Sequence, residues 1–156
     1  MSIFKASELV NLAILVERNG EDFYNSLKQI IENKDAQKVF SYLADEEKKH
    51  IATFQGLLKN LEKYQQGEIY EEDYKKYMKA MADSHVFINK SGKEFAQNIK
   101  SFSDAISIAM KFEKDSILFF EGMKQFVPES EHKTINELAN EERKHIVKLI
   151  ELRGDI

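Results

Sequence analysis

The 156-residue sequence has no cysteine, a single proline and only six glycines. Without cysteine, disulfides, zinc knuckles, iron–sulfur ligation and thiol catalysis are excluded. The scarcity of proline and glycine, with leucine, isoleucine, lysine and glutamate abundant, favours long helices over a sheet. No excess of basic residues exists either: 23 Lys and Arg face 27 Asp and Glu, for a net charge of −4. A nucleic-acid footprint would show as a basic face, so no nucleic-acid partner is expected. No apolar run reaches the length of a membrane span, and Met1 to Ser7 lack the apolar core of a signal peptide. A soluble, cytoplasmic protein with no membrane partner is the expectation.

What is present is charge in helical register. The length suits one domain over 1–156 with a substantial core. Apolar periodicity predicts four long helices, an all-α antiparallel four-helix bundle. The first runs from Ser7, as N-cap, to Glu32, and a turn follows at Asn33–Asp35. The second runs from Asp35 to Tyr64 and ends near Gly67. The third starts near Ser103 and stops before Pro128. The fourth runs from about Glu129 to Arg153, with Gly154 just past its end. The connection from 65 to 102 is long, with a short helix predicted over Glu71–Met81 and a looser part around Asn89–Gly92. Two helix hairpins, about 7–64 and 103–153, are thus joined by one crossover.

The hairpins repeat. Leu43-Ala44-Asp45-Glu46-Glu47-Lys48-Lys49-His50-Ile51 recurs as Leu138-Ala139-Asn140-Glu141-Glu142-Arg143-Lys144-His145-Ile146. Upstream, Ser7, Ala13, Glu17 and Phe23 align with Ser103, Ala109, Glu113 and Phe119. Neither hairpin can bury its apolar stripe alone, so the two are expected to close on each other.

The inward stripes carry the functional signal. On helix two, Phe40, Leu43, Glu47, His50, Phe54, Leu57 and Leu61 follow steps of three and four. Ile135, Leu138, Glu142, His145, Leu149 and Leu152 do so on helix four. Helix one contributes Val10, Ala13, Glu17, Gly20, Tyr24 and Leu27, and helix three Ile106, Ala109, Glu113, Ser116, Phe120 and Met123. Each helix therefore places a glutamate where an apolar side chain is expected. One buried, uncompensated carboxylate costs several kcal/mol, and four together repel one another. Two divalent cations would cancel four carboxylates, with neutral imidazoles completing the coordination. A Glu three residues before a His puts both on one helical face. A single Glu-x-x-His is commonplace; two in register, in repeated halves, each preceded by an inward glutamate, are not. Carboxylate and imidazole suit iron or manganese.

On these residues the sequence resembles the di-iron domain of rubrerythrin and its ferritin-like relatives, over almost the whole chain. That class uses one glutamate from each of two helices and one Glu-x-x-His from each of the others. The resemblance implies Glu17, Glu47, His50, Glu113, Glu142 and His145 as ligands of two iron ions (manganese being possible). Glu47 and Glu142 would bridge, and Glu17 and Glu113 would bind terminally. It implies a non-haem di-iron oxidoreductase acting on O2 or hydrogen peroxide in oxidative-stress defence, and a homodimer. Iron binding with ferroxidase or storage chemistry is the alternative, and a metal-binding bundle without turnover a third. Two departures matter. Rubrerythrins usually end in a cysteine-rich rubredoxin domain, whereas this sequence stops at Ile156, so a separate rubredoxin-like electron donor is expected. They also carry an extra glutamate one turn after the helix-three ligand, where Ser116 stands here.

Tyr24, two turns beyond Glu17, is a candidate partner or redox neighbour of a ligand, although a core tyrosine is the simpler expectation. Glu21 is either an outer acceptor or a surface residue. Glu46 and Glu141 are expected to be solvated, His85 and His132 to miss the inward face, and Phe112, Phe119, Phe120 and Phe126 to pack in the core.

Overall fold

The computed structural model describes residues 5–63 and 72–154. Six α-helices occur among them: α1 (Ala6–Ile30), α2 (Lys34–Leu61), α3 (Glu72–Ser84), α4 (Gly92–Gln97), α5 (Phe102–Met123) and α6 (His132–Arg153). No strand occurs among the described residues. The four long helices α1, α2, α5 and α6 are the ferritin-like bundle. The pairs α1–α2 and α5–α6 pack as hairpins, and α1–α5 and α2–α6 contacts close them on each other. No described helix is long and apolar enough to cross a membrane.

Helix ends follow local chemistry, with some shifts from expectation. Helix α1 starts earlier than predicted: the N-cap is Lys5, whose backbone N–H is accepted by Glu8, so Ser7 lies inside the first turn. Asn33 caps α2 by accepting the Ala36 N–H, and Ser101 caps α5 by accepting that of Asp104. Helix α2 ends at Leu61, and Tyr64 and Gly67 lie outside the described residues. Glu129–Glu131 form a 3-10 turn, and the α-helix proper begins at His132. Gly154 closes α6 in the left-handed region, φ 92°, as a terminal glycine should.

The crossover is more ordered than predicted. Its first helix covers Glu72–Ser84, Glu71 lying outside the described residues, and α4 occupies the stretch after Asn89. Ser91 caps α4 by accepting the Glu94 N–H. Helix α4 packs on α1 and α3 on α5, so the crossover covers that side of the bundle. Gly92 makes the approach possible: a Cβ there would collide with the Asn19 carbonyl oxygen and the Phe23 backbone nitrogen.

Two apolar clusters fill the bundle. One gathers Leu9, Ala13, Phe54, Phe120, Ile135 and Leu138; the other gathers Val16, Tyr24, Phe40, Leu43, Ile106 and Leu149. Phe112, Phe119, Phe120 and Phe126 are all buried, as expected of core residues. Along every long helix the switch from one cluster to the other falls at the glutamate of the inward stripe. The apolar core is thus divided by one polar layer.

Candidate metal centre

That layer brings together all six predicted residues. Glu17, Glu47, Glu113, Glu142 and His145 have no exposed surface, and His50 has 4 %. Each imidazole faces three carboxylates. His50 Nδ1 lies 2.7 Å from Glu142 Oε1, 3.2 Å from Glu17 Oε2 and 3.4 Å from Glu47 Oε2. His145 Nδ1 lies 3.2 Å from Glu47 Oε1, 3.4 Å from Glu113 Oε2 and 3.7 Å from Glu142 Oε2. Glu47 and Glu142 therefore offer one oxygen to each histidine, whereas Glu17 and Glu113 each serve one. The two rings lie nearly parallel, 5.5 Å apart. The sequence repeat reappears as an approximate two-fold arrangement of two ligand groups, Glu17-Glu47-His50-Glu142 and Glu47-Glu113-Glu142-His145. In each, one donor atom per residue lies within 4.8 Å of the others.

Protein hydrogen bonds do not satisfy this layer. Both oxygens of Glu47 and of Glu142, one each of Glu17 and Glu113, and both nitrogens of His145 are buried without a hydrogen-bond partner. A ring nitrogen carries at most one proton and cannot serve three carboxylates at once. Native interiors rarely leave such groups unmatched, and a cluster of them signals an ion or a functional strain. The residues fit a metal: carboxylate and imidazole donors, no thiolate, at converging positions.

Electrostatics says the same thing in protons. Burial first, then the charges of Glu47 and Glu142, push the Glu17 carboxyl well above the usual range. Burial also opposes ionisation of Glu47, but the closeness of Glu17 and of both imidazoles outweighs it and holds that carboxyl low. Burial disfavours charged imidazoles, yet the carboxylates win: His50 is raised, by Glu142 above all, and His145 is raised to about 10 by Glu142 and Glu47. With no cation present, protons gather to neutralise the carboxylates.

Tyr24 touches this layer. Its hydroxyl donates to Glu113 Oε1 at 2.7 Å, and its ring is fully buried beside Phe40 and Phe112. Burial and the nearby carboxylates raise the phenol's pKa, so it remains a donor.

A family model for rubrerythrin matches residues 8–152. The chain belongs to the rubrerythrin family. The buried Glu/His cluster could hold metal, and with the family it suggests iron. A solved structure from Thermotoga maritima, described as a ferritin-like diiron-carboxylate protein, is similar over 98 % of this chain and 97 % of its own. The identity is 25 % and the TM-score 0.71. No match was found among curated proteins.

Three residues of this rubrerythrin-family domain stand differently from the sequence-based expectation. His85 does not stay clear of the bundle. It is buried, and Nε2 meets the Ser116 hydroxyl at 3.0 Å while Nδ1 accepts the Phe87 N–H at 3.1 Å. Its ring packs edge-on against Phe112 and Phe119, and burial lowers its pKa to about 4. Ser116 is fully buried, and its hydroxyl is engaged with the crossover. The apolar run Val86-Phe87-Ile88 beside His85 was the signal that this segment docks. Glu46 and Glu141 are half-buried rather than solvated, each with an oxygen within 4.8 Å of a His145 nitrogen. His132 does miss the cluster, its Nε2 lying 3.2 Å from the Val127 carbonyl. Glu21 is half-buried and belongs to none of the ligand groups.

Proposed function

We propose that the chain is a non-haem di-iron oxidoreductase of rubrerythrin type, which oxidises Fe(II) and reduces O2 or hydrogen peroxide. Glu17, Glu47, His50, Glu113, Glu142 and His145 would hold two iron ions, with manganese the competing metal. The observation that carries this reading is the set of buried, unmatched carboxylate oxygens around two imidazoles. Glu47 and Glu142, each facing both histidines through separate oxygens, are suited to bridge; Glu17 and Glu113, each facing one, are suited to terminal positions.

When bound, iron supplies the electrons that the oxidant accepts. The chain's own residues do the rest. The four carboxylates would offset the charge of the two ions. The histidines anchor each half, and Tyr24 fixes the orientation of Glu113 through its hydroxyl. Apolar side chains on both sides of the layer keep bulk water out and strengthen every charge interaction inside. A separate donor, such as a rubredoxin-like protein, would supply the reducing equivalents.

One observation favours the alternative of iron oxidation for binding or storage. Where rubrerythrins carry an additional glutamate, Ser116 stands, tied to His85. The centre then has four carboxylates rather than five, and Fe(II) oxidation by O2 and by peroxide should proceed without strong preference for either. Anaerobic Fe(II) loading with metal analysis, followed by stopped-flow mixing with each oxidant, tests both readings. Two ions per chain and oxidation by both oxidants are expected. A stoichiometry well below two removes the di-iron reading. A peroxide rate orders of magnitude above the O2 rate removes the inference drawn from Ser116. Multiple turnover with a reducing partner separates an oxidoreductase from a storage protein.

A further inference from the structure

The side of the bundle formed by α2 and α6 differs from the side covered by the crossover. A cavity of about 410 Å³ opens there between the two helices, lined by Glu46, His50, Glu137, Leu138 and Glu141 among others. His50, 96 % buried, thus forms part of its wall. Three carboxylates face the cavity against one lysine, Lys49, which is exposed and pairs with Glu46 at 3.2 Å. Glu141 pairs with the exposed Lys144 at 3.0 Å. In both pairs the lysine end lies in solvent, which keeps the pair weak.

His145 does not line the cavity but lies close to the Glu46 and Glu141 carboxylates that do. Its Nδ1 faces the central carboxylates, whereas Nε2, on the other edge of the ring, is fully buried and unpartnered. Glu46, Glu141 and His145 offer three donor atoms within 4.8 Å of one another, the two carboxylates lying outside the central layer.

We infer that Glu46 and Glu141 form a transit site for hydrated divalent cations, through which ions pass along the α2/α6 groove to the central cluster. This inference rests on the metal reading above. A cation arriving in the groove exchanges hydration water for the two carboxylates beside the His145 ring. It then moves inward past the wall that His50 forms to the central carboxylates. Two carboxylates alone hold a cation weakly, so the outer pair passes each ion on and is free for the next.

A transit site changes how fast ions cross in both directions and leaves the central affinity alone. The test is stopped-flow uptake and chelator-driven release of Co(II), with its visible spectrum as readout, in the parent and in Glu46→Gln/Glu141→Gln. Both substitutions are at half-exposed positions outside the central layer. Uptake and release should each slow by about tenfold or more in the variant, with two ions still bound and the dissociation constant unchanged. Parent uptake should also fall with added salt more steeply than that of the variant. Equal uptake rates overturn the inference. So does weakened affinity at an unchanged uptake rate, the result expected if Glu46 and Glu141 merely orient His145. A parent that takes up no Co(II) would overturn the central reading, and this one with it.

Discussion

Removing metal and raising pH should destabilise this protein in a way that His145 can be made to report. In the metal-free cluster the Glu142 and Glu47 carboxylates, working against burial, raise the His145 pKa to about 10. In the unfolded chain a histidine titrates near 6.5. A folded pKa above the unfolded one means that the stabilisation is complete below about pH 6.5 and is lost as pH climbs through about 10. Between pH 7 and 9.5 the linkage relation gives a loss of about 3 kcal/mol from this group. For a chain of this length that corresponds to a fall in Tm of about 10 °C. His50 is shifted in the same direction and adds to the fall, whereas Glu47, held low, is ionised throughout this window. The assay is thermal unfolding of chelated protein at steps from pH 7 to 9.5, for the parent and His145→Gln. The stability gap between them should shrink by about 3 kcal/mol across the series, and loading with Fe(II) or Mn(II) should flatten the parent's curve. If chelated parent and variant decline in parallel, His145 holds no proton on behalf of Glu142 and Glu47.

Further substitutions separate neighbours along the same helices. Glu47→Ala or Glu142→Ala should abolish binding of at least one ion, whereas Glu46→Ala or Glu141→Ala should leave two at equilibrium; metal analysis after dialysis decides, and equal losses would mean that the wrong glutamate of each pair was chosen. Tyr24→Phe keeps the buried ring but removes the 2.7 Å donor to Glu113. It should weaken binding of one of the two ions by about tenfold, near the 1.5 kcal/mol of a charge-assisted hydrogen bond, as read by competitive metal titration. Gly92→Ala should lower stability by about 2 kcal/mol, measured by urea unfolding, because the new Cβ meets the backbone of α1.

The parts of this molecule readable in advance are those in which one helix repeats a rule. Glu47 and His50 are three residues apart, so their common face follows from helical geometry alone, and the echo at Glu142 and His145 fixes the same face on α6. Glu17 and Glu113 follow because the steps from Ala13 and Ala109 are unbroken. The crossover was harder. Helix α4 is six residues long, too short to show a period, although Ser91 followed three residues later by Glu94 is a helix-start signature. The position of His85 depends on where that segment docks, and Ser116 reveals its partner only once α5 and the crossover are in contact. Likewise the half-burial of Glu46 and Glu141 depends on how closely α2 approaches α6. The misplaced N-cap at Ser7 is a smaller matter: Glu8 folds back onto Lys5, and a glutamate in that role is invisible to a search for capping side chains.

The shortest contact of each imidazole is with a carboxylate of the other hairpin: His50 with Glu142, and His145 with Glu47. Each half of the repeat thus completes the other's ligand group and cannot complete its own. Either hairpin, formed early in folding, would present an incomplete set of donors and only weak affinity for an ion. Full affinity arises with the docking of the second hairpin, so a bound pair of ions would certify that the chain has reached its final tertiary arrangement. Chains caught part-way, with apolar stripes still open, would compete poorly for scarce metal, and the same interlock would keep loosely held, reactive iron off unfinished protein.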